Sequence, residues 1–342
     1  MKVRVFTSGS TDVIPPVLAP MLAGGIGLPH DPGAYVFEPK WDGVRTVVRV
    51  GDDVSLMSRR GTDVSPAYPE LAGLAEALRP HRAVLDGEVV AFAESGRPSF
   101  QRLQRRMHVR SPSPRLVAEI PVTLMVFDLL WLDGESLIGL PQTERRRRLE
   151  EVGVEGPHWH VTPLLTLPAD EHLLDACRDA GLEGYMAKRR DAPYHPGRRS
   201  AAWSKVKCVR RRELVVGGWA PGHGAREGSI GSLAMGAWEV PDEDARPSRL
   251  RYLGQVGSGL SESIIGQLQH VFERYAAERS PFANPVPRSL RFVEPVLVAE
   301  VAYTEVTEAG TLRQPSLVGF RTDLDPADVV LDEEIALPGA PV

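Results

Sequence analysis

The feature of this sequence that most limits its fold is a series of short apolar runs, each bounded by turn-forming residues. The runs Val44–Val50 and Val54–Ser58 flank a Gly-Asp-Asp turn, which is typical of a β-hairpin. Residues 83–92 and Val122–Leu132 are typical of buried strands, and residues 69–78 of a helix. Strands and helices alternate without a regular βαβ repeat. We therefore expect an α+β fold of mixed, largely antiparallel sheets with helices.

The sequence pattern changes after Arg212. The strand, helix and strand patterns there occupy, in order, residues 214–219, 229–240, 250–256, 262–277, 291–306 and 311–320. Five short strands with a helix after the third is the order of an OB-fold, a small β-barrel used for oligonucleotides. We predict two domains, residues 1–210 and 211–342, with a hinge at residues 207–213.

Length and composition are those of a globular protein of two domains. The 342 residues exceed one average domain, with 42% hydrophobic and 25% charged residues. No apolar run approaches the roughly 20 residues that span a bilayer, and residues 1–10 lack the apolar core of a signal peptide. Cys177 and Cys208 fit neither a disulfide framework nor a zinc site. We expect a cytoplasmic protein of a bacterium, with no membrane partner.

Charge is unevenly distributed along the chain. The net charge is −5, yet residues 183–212 contain ten Lys or Arg and only two acids. Such a stretch can track nucleic-acid phosphates, although a solvated charged face explains it equally well. The four arginines at 145–148 are typical of an exposed helical face rather than a binding site.

Five short motifs follow one another within residues 38–207. In chain order they are Glu38-Pro39-Lys40-Trp41-Asp42-Gly43-Val44-Arg45, Leu85-Asp86-Gly87-Glu88, Val126-Phe127-Asp128-Leu129-Leu130, Glu183-Gly184-Tyr185-Met186-Ala187-Lys188 and Trp203-Ser204-Lys205-Val206-Lys207. The KxDG pattern at Lys40 is weak alone, because a lysine in a turn before a strand is usually a surface loop. All five in this order are hard to produce by chance. No GxxxxGK[ST] pattern occurs, so a P-loop does not hold any nucleotide here.

With these motifs the sequence resembles the covalent nucleotidyltransferases, and most closely the bacterial ATP-dependent DNA ligases of the non-homologous end-joining type. The resemblance continues through residues 193–200, 203–208, 218–222 and 251–257. It implies an adenylation (nucleotidyltransferase) domain followed by an OB-fold domain. It also implies ATP, bound covalently as AMP, together with Mg²⁺ or Mn²⁺. The implied substrate is nicked double-stranded DNA, in DNA repair.

The resemblance makes Lys40 the nucleophile that becomes adenylated. A lysine amine attacks phosphorus only in its neutral form, whereas the ordinary lysine pKa is about 10.4. Neighbouring cations and partial desolvation favour the neutral amine, and Arg45, Lys205, Lys207 and a bound metal are candidates to supply that field. AMP then passes to the 5′-phosphate of a nick, and the 3′-hydroxyl displaces it.

The resemblance also implies roles for further residues. Glu38 would lie near the adenine edge, and Phe127 would stack on adenine. Arg45 and Glu88 would contact the ribose, and Lys205 and Lys207 would contact the α-phosphate. Other nucleotide contacts are implied for Arg59, Lys188 and Arg321. The implied metal ligands are Glu183 and Glu88.

The last motif of the family is incomplete in this chain. Arg313 and Arg321 stand at the expected positions, but Val318 and Leu324 replace lysines that are common in the family. Because that motif usually faces the departing pyrophosphate, losing cations there weakens charge stabilisation in the first step. We expect slow self-adenylation, with sealing of a pre-adenylated nick less affected.

Other functions are compatible with parts of the pattern. An RNA ligase or a capping guanylyltransferase would use the same chemistry on another polymer. A non-catalytic nick-binding protein with a decayed final motif is a third alternative, but it would have no chemical need for Lys40. End-joining proteins are candidate partners, and a monomer is the expected state.

Overall fold

A computed structural model describes residues 14–15, 18–222, 224, 227–239, 249–307 and 309–331. The chain divides into two compact units, Met1–Cys208 and Val209–Val342. The predicted domains, residues 1–210 and 211–342, differ from these units by two residues. Over the described ranges, no helix combines the length and apolar character needed to cross a membrane.

The first unit contains ten strands and five α-helices among its described residues. The strands are β1 (Leu22–Ile26), β2 (Tyr35–Pro39), β3 (Val44–Val50), β4 (Val54–Ser58), β5 (Ala83–Ala91), β6 (Val122–Leu132), β7 (Glu135–Ser136), β8 (Trp159–Val161), β9 (Gly184–Arg189) and β10 (Arg199–Lys207). The helices are α1 (Leu74–Ala77), α2 (Phe100–Met107), α3 (Pro114–Glu119), α4 (Gln142–Val152) and α5 (Glu171–Asp179). The hairpin predicted from β3 and β4 is confirmed with the same bounds.

Two sheets form this unit. One has the strand order β1-β10-β9-β2, and the other has the order β4-β3-β5-β6-β7, with β8 paired to β6. Among the described strands of this unit only the β1–β10 and β6–β8 pairs are parallel. The predicted mixed, largely antiparallel architecture is therefore confirmed.

Strand β6 lies between two hydrophobic cores. Leu124 and Val126 pack into one core, and Phe127 and Trp131 pack into the other. Because both faces are buried, the strand is a nearly continuous apolar run rather than a strict alternation of apolar and polar residues.

The second unit has the strand order of an OB-fold. Its elements are β11 (Arg210–Pro221), β12 (Ile230–Glu239), β13 (Arg249–Val256), α6 (Glu262–Arg274), β14 (Ala276–Ala277), β15 (Arg291–Tyr303) and β16 (Ser316–Arg321). The sheet order is β13-β12-β11-β15-β14, with β16 paired to β15. A parallel bridge between Ser258 and Ser316 joins the end of the third long strand to the last one. The sheet closes on itself, as the predicted OB-fold requires.

Three predicted elements differ from the structure. Residues 69–78 form a 3-10 helix, Pro69–Gly73, followed by the single-turn α1, because a brief proline-led segment favours tight 3-10 turns. The helix predicted at 262–277 ends at Arg274, since Ala276–Ala277 pairs with β15 instead. Of the predicted hinge at 207–213, only Cys208 and Val209 lie outside strands.

The arginines at 145–148 do not all face solvent, so that prediction is wrong for two of them. Arg145 is fully buried, where its guanidinium donates to both oxygens of Asp128 at 2.7 and 2.9 Å. Arg146 is 9% exposed. Arg147 is exposed and pairs with glutamates of its own helix. Charge partners supplied by distant strands decide which arginines are buried.

Arg106, at the end of α2, is also fully buried. Its guanidinium pairs with Glu70, whose side chain is 5% exposed, and donates to the carbonyl oxygens of Ile120 and Ala67, each at 2.7 Å. These bonds connect three segments of the core around β5 and β6. The neighbouring Arg105 forms an exposed pair with Glu119.

We predict that Arg106→Ala lowers the free energy of unfolding by about 3–5 kcal/mol, because it leaves the Glu70 carboxylate buried without its partner. Arg105→Ala, the matched control, should change it by about 0–1 kcal/mol, as expected for an exposed pair. Urea denaturation followed by circular dichroism measures both. Equal losses in the two variants would show that burial of the Arg106 pair is unimportant.

Candidate active site

Lys40 lies in the turn after β2, and close backbone packing fixes that turn. The backbone N–H of Lys40 donates to the carbonyl oxygen of Gly184 at 2.9 Å. A Cβ at Gly43 would lie 2.1 Å from the carbonyl oxygen of Val89, and a Cβ at Gly184 would lie 2.1 Å from that of Val206. Gly184 also has a φ of +140°. These contacts give a physical reason for the glycines in the first and fourth motifs.

Glu183 lies between two lysines. Lys40 Nζ donates to one carboxylate oxygen, and Lys207 Nζ is 2.7 Å from the other. Burial opposes ionisation of Glu183, but Lys40 and Lys207 outweigh it and hold the pKa of Glu183 below its ordinary value. The structure therefore brings together the predicted nucleophile, one predicted phosphate contact and one of the two predicted metal ligands.

A pocket opens beside Lys40. Eight predicted site residues line it, namely Glu38, Lys40, Arg45, Arg59, Glu88, Phe127, Lys188 and Lys205. Desolvation and the charges of Lys207 and Lys40 lower the pKa of Lys205. Arg321 is the one predicted site residue outside this unit. It lies on β16 and pairs with Asp323 and Glu213.

Arg45 is held by Asp86 in the pocket wall. Its Nε and Nη2 each donate to the Asp86 carboxylate at 2.6 Å. Burial opposes the charge of Arg45, but the pairing with Asp86 is stronger and raises the pKa of Arg45. The guanidinium of Arg45, which is the predicted ribose contact, therefore has a fixed orientation.

Phe127 lies on β6 at a register shift in the pairing with β5. Its neighbours Val126 and Asp128 pair with Gly87 and Asp86, and Phe127 has no residue opposite it on β5. An irregularity of this kind redirects a side chain. Arg45 Cζ lies 4.5 Å and Lys188 Nζ 4.3 Å from the centroid of the ring. Two cations thus already contact the ring, and its stacking on adenine stays a prediction.

Glu38 and Lys188 form a buried ion pair in the pocket wall. Lys188 Nζ lies 2.5 Å from Glu38 Oε2 and donates to the carbonyl oxygen of Phe127 at 3.1 Å. Burial raises the pKa of Glu38 and lowers that of Lys188, because loss of water penalises both charges. Glu38 Oε1 is buried and accepts no hydrogen bond from the described residues. This acceptor fits a donor group of a bound nucleotide.

Seven further residues line the same pocket and were not predicted. They are Leu22, Ala23, Pro39, Trp41, Met186, Arg199 and Trp203. A period-two pattern could have found two of them, because Arg199 and Trp203 share a face of β10 with Lys205.

The predicted metal ligands are two carboxylates, Glu183 and Glu88. Over the described residues, no group of three His, Cys, Asp or Glu side chains is arranged to hold a metal ion. Mg²⁺ is commonly held by one or two carboxylates together with substrate phosphates and water. Glu183, beside Lys40 and Lys207, suits that shared form of binding.

Two family models match the chain. The ATP dependent DNA ligase domain matches residues 20–207, and the ATP dependent DNA ligase C terminal region matches residues 226–324. The ligase domain of LigD from Mycobacterium tuberculosis is a structural neighbour with 39% identity and a TM-score of 0.51, covering 92% of this chain and 98% of that one.

Longer relatives match as well. The multifunctional non-homologous end joining DNA repair protein LigD of M. tuberculosis is 41% identical over 323 residues, which is 92% of this chain and 40% of that protein. A DNA ligase of Thermococcus fumicolans is 32% identical over 318 residues, which is 89% of this chain and 55% of that protein. The chain thus spans less than two thirds of these relatives.

Burial of Glu88 makes the stability of the folded chain depend on pH. It pairs in register with Arg45 across β3 and β5, and burial raises its pKa to about 7 despite the charges of Arg45 and Lys40. Between the ordinary pKa of about 4.5 and pH 7 the folded chain then binds more protons than the unfolded chain. The contribution of Glu88 to stability is therefore favourable at low pH and falls as pH rises through this window.

We predict that the free energy of unfolding of the wild type falls between pH 5 and pH 8, and that Glu88→Gln loses about 1–3 kcal/mol less over the same range. The difference is no larger because Glu88 is half-buried and solvent screens part of the effect. Glu94→Gln, an exposed glutamate just beyond β5, is the control and should leave the profile unchanged. Urea unfolding of the nucleotide-free protein at both pH values measures this. A Glu88→Gln profile equal to that of the wild type would contradict the prediction.

Proposed function

The chain belongs to the ATP-dependent DNA ligase family, and on this basis we propose that it seals nicks or breaks in DNA through a lysyl-AMP intermediate. The observation that carries the proposal is the cluster of Lys40, Glu183 and Lys207 beside a pocket lined by eight predicted site residues. Repair of DNA breaks is the proposed setting, with end-joining proteins as partners. We also propose a monomer in a bacterial cytoplasm.

In the first step Lys40 Nζ attacks the α-phosphorus of ATP. The neutral amine forms the N–P bond as the bond to pyrophosphate breaks, and the proton released from the nitrogen passes to solvent water. Lys40 pairs with Glu183, and Lys205 and Lys207 lie close to that pair. The two lysines also offset the negative charge that develops on the phosphate.

Glu183, with Glu88 as the second carboxylate, would hold the metal, Mg²⁺ or Mn²⁺, which neutralises phosphate charge when bound. This role draws Glu183 away from Lys40, because one carboxylate cannot fully serve both.

The pocket wall supplies the remaining nucleotide contacts. Glu38 Oε1, which accepts no hydrogen bond from the described residues, would accept from the adenine edge, and Glu88 with Arg45 would contact the ribose. Arg59 and Lys188 complete the residues implied for the nucleotide in this unit. For Arg321, on β16, the nucleotide contact implied by the family stays a prediction. AMP then passes to the 5′-phosphate of a nick, and the 3′-hydroxyl displaces it.

We predict that ATP labelled in the α-phosphate, with Mg²⁺, leaves acid-labile label on the wild-type protein. Lys40→Ala should carry none, because it lacks the nucleophile. Lys40→Arg keeps the positive charge and should also carry none, which separates nucleophilic attack from charge alone. Electrophoresis after denaturation measures the label.

Bound AMP can hide this reaction, so the protein is first treated with pyrophosphate. Absence of label from the treated wild type would contradict the proposal and favour a non-catalytic nick-binding protein. Incubation of labelled protein with nicked DNA and nicked RNA then distinguishes a DNA ligase from an RNA ligase.

Val318 tests the incomplete final motif. It lies on β16 and is 45% exposed, so a lysine there meets no packing obstacle. We predict that Val318→Lys speeds self-adenylation by about tenfold, or ~1.4 kcal/mol, and leaves sealing of a pre-adenylated nick unchanged. Val296→Lys, at a valine of similar exposure on β15, should change neither rate. An unchanged adenylation rate in Val318→Lys would end this explanation.

A further inference from the structure

Arg146, on α4, lies next to the buried carboxylate of Glu38. Its Nη1 donates to the carbonyl oxygen of Thr162 at 2.7 Å, and its Nε donates to Glu150 at 2.6 Å. The same Nη1 lies 3.7 Å from Glu38 Oε1. Arg146 is therefore fixed by two other partners, with its charge close to Glu38.

The two oxygens of Glu38 have different surroundings. Oε2 pairs with Lys188, whereas Oε1 accepts no hydrogen bond from the described residues. The distance from Arg146 to Oε1 is beyond hydrogen-bond range. Arg146 can thus stabilise the charge on Glu38, a residue that lines the pocket, without taking up the lone pairs of Oε1. The charge of Asp128 also acts on Glu38 and opposes its ionisation.

The protonation state of Glu38 decides which group it can bind. An ionised carboxylate only accepts hydrogen bonds, while a protonated one also donates. A 6-aminopurine such as adenine presents a donor at position 6, and a 6-oxopurine such as guanine presents an acceptor. Burial pushes Glu38 toward taking up a proton, and Lys188 and Arg146 resist it.

We propose that Arg146 is a positioning residue that keeps Glu38 an acceptor and so selects a 6-aminopurine nucleotide over a 6-oxopurine nucleotide. This rests on the proposed function, because it takes Glu38 as the group that faces the base. Arg146 acts through Glu38 and needs no contact with the nucleotide.

Thr162 provides a way to separate this effect from changes at the nucleophile. Its carbonyl oxygen holds Arg146, and its hydroxyl accepts from the indole N–H of Trp41 at 3.1 Å. Trp41 follows Lys40 directly. Thr162→Val removes the Trp41 bond but keeps the carbonyl, so it should alter the labelling rate and leave base selectivity unchanged.

The test compares covalent labelling by ATP and by GTP at pH 6 and pH 8, after treatment with pyrophosphate. For Arg146→Met we expect a roughly tenfold rise in the KM for ATP, the size of one hydrogen bond to a charged group. The ATP-over-GTP ratio should fall, and more at pH 6, where Glu38 protonates more readily. Arg147→Met, at the exposed neighbour, should match the wild type.

Arg146→Lys keeps the charge and should restore most of the selectivity, even if it unfolds more readily. Wild-type selectivity in Arg146→Met at both pH values would overturn the inference, as would lost selectivity in Arg146→Lys. If Arg146→Met does not fold, Arg146→Lys and Thr162→Val decide. Absence of label from the wild type with either nucleotide would instead overturn the proposed function, and the inference with it.

Discussion

Asp86 is the buried charge around which the first unit is assembled. Its carboxylate, fully excluded from solvent on β5, accepts two hydrogen bonds from Arg45 and one from the hydroxyl of Tyr194. That hydroxyl accepts in turn from the N–H of Met21, just before β1. A buried carboxylate that loses its partner costs about 3–5 kcal/mol. These bonds therefore fix the six-stranded sheet against the chain that enters the four-stranded sheet.

The pocket depends on this arrangement because both sheets line it. Lys40 and Lys205 come from the four-stranded sheet or its turns, and Glu88 and Phe127 come from the six-stranded sheet. Charges in the core of the unit occur in pairs, whereas Glu183, beside the pocket, contacts both Lys40 and Lys207. Lysines therefore lie where phosphates are expected.

Much of the architecture follows from local patterns in the sequence. The hairpin of β3 and β4 and the bounds of β6 agree with the sequence, because apolar runs and a turn specify them over a few residues. The OB-fold order could be predicted for the same reason. The motif residues also predicted much of the pocket, since Lys40 and its partners lie at strand ends and on alternating strand positions that the sequence displays.

The sequence by itself determined the element types, their order and the residue types of the candidate site. Only the tertiary structure decided which charged side chains are buried and which of their atoms remain available for hydrogen bonds. Arg145 and Arg146 belong to a run that is typical of an exposed face, yet distant strands supply their partners. Phe127 reaches the pocket through a shift in strand pairing. The surroundings of Glu38 depend on residues more than 100 positions away. Burial and hydrogen bonding depend on such long-range packing, which no local pattern records.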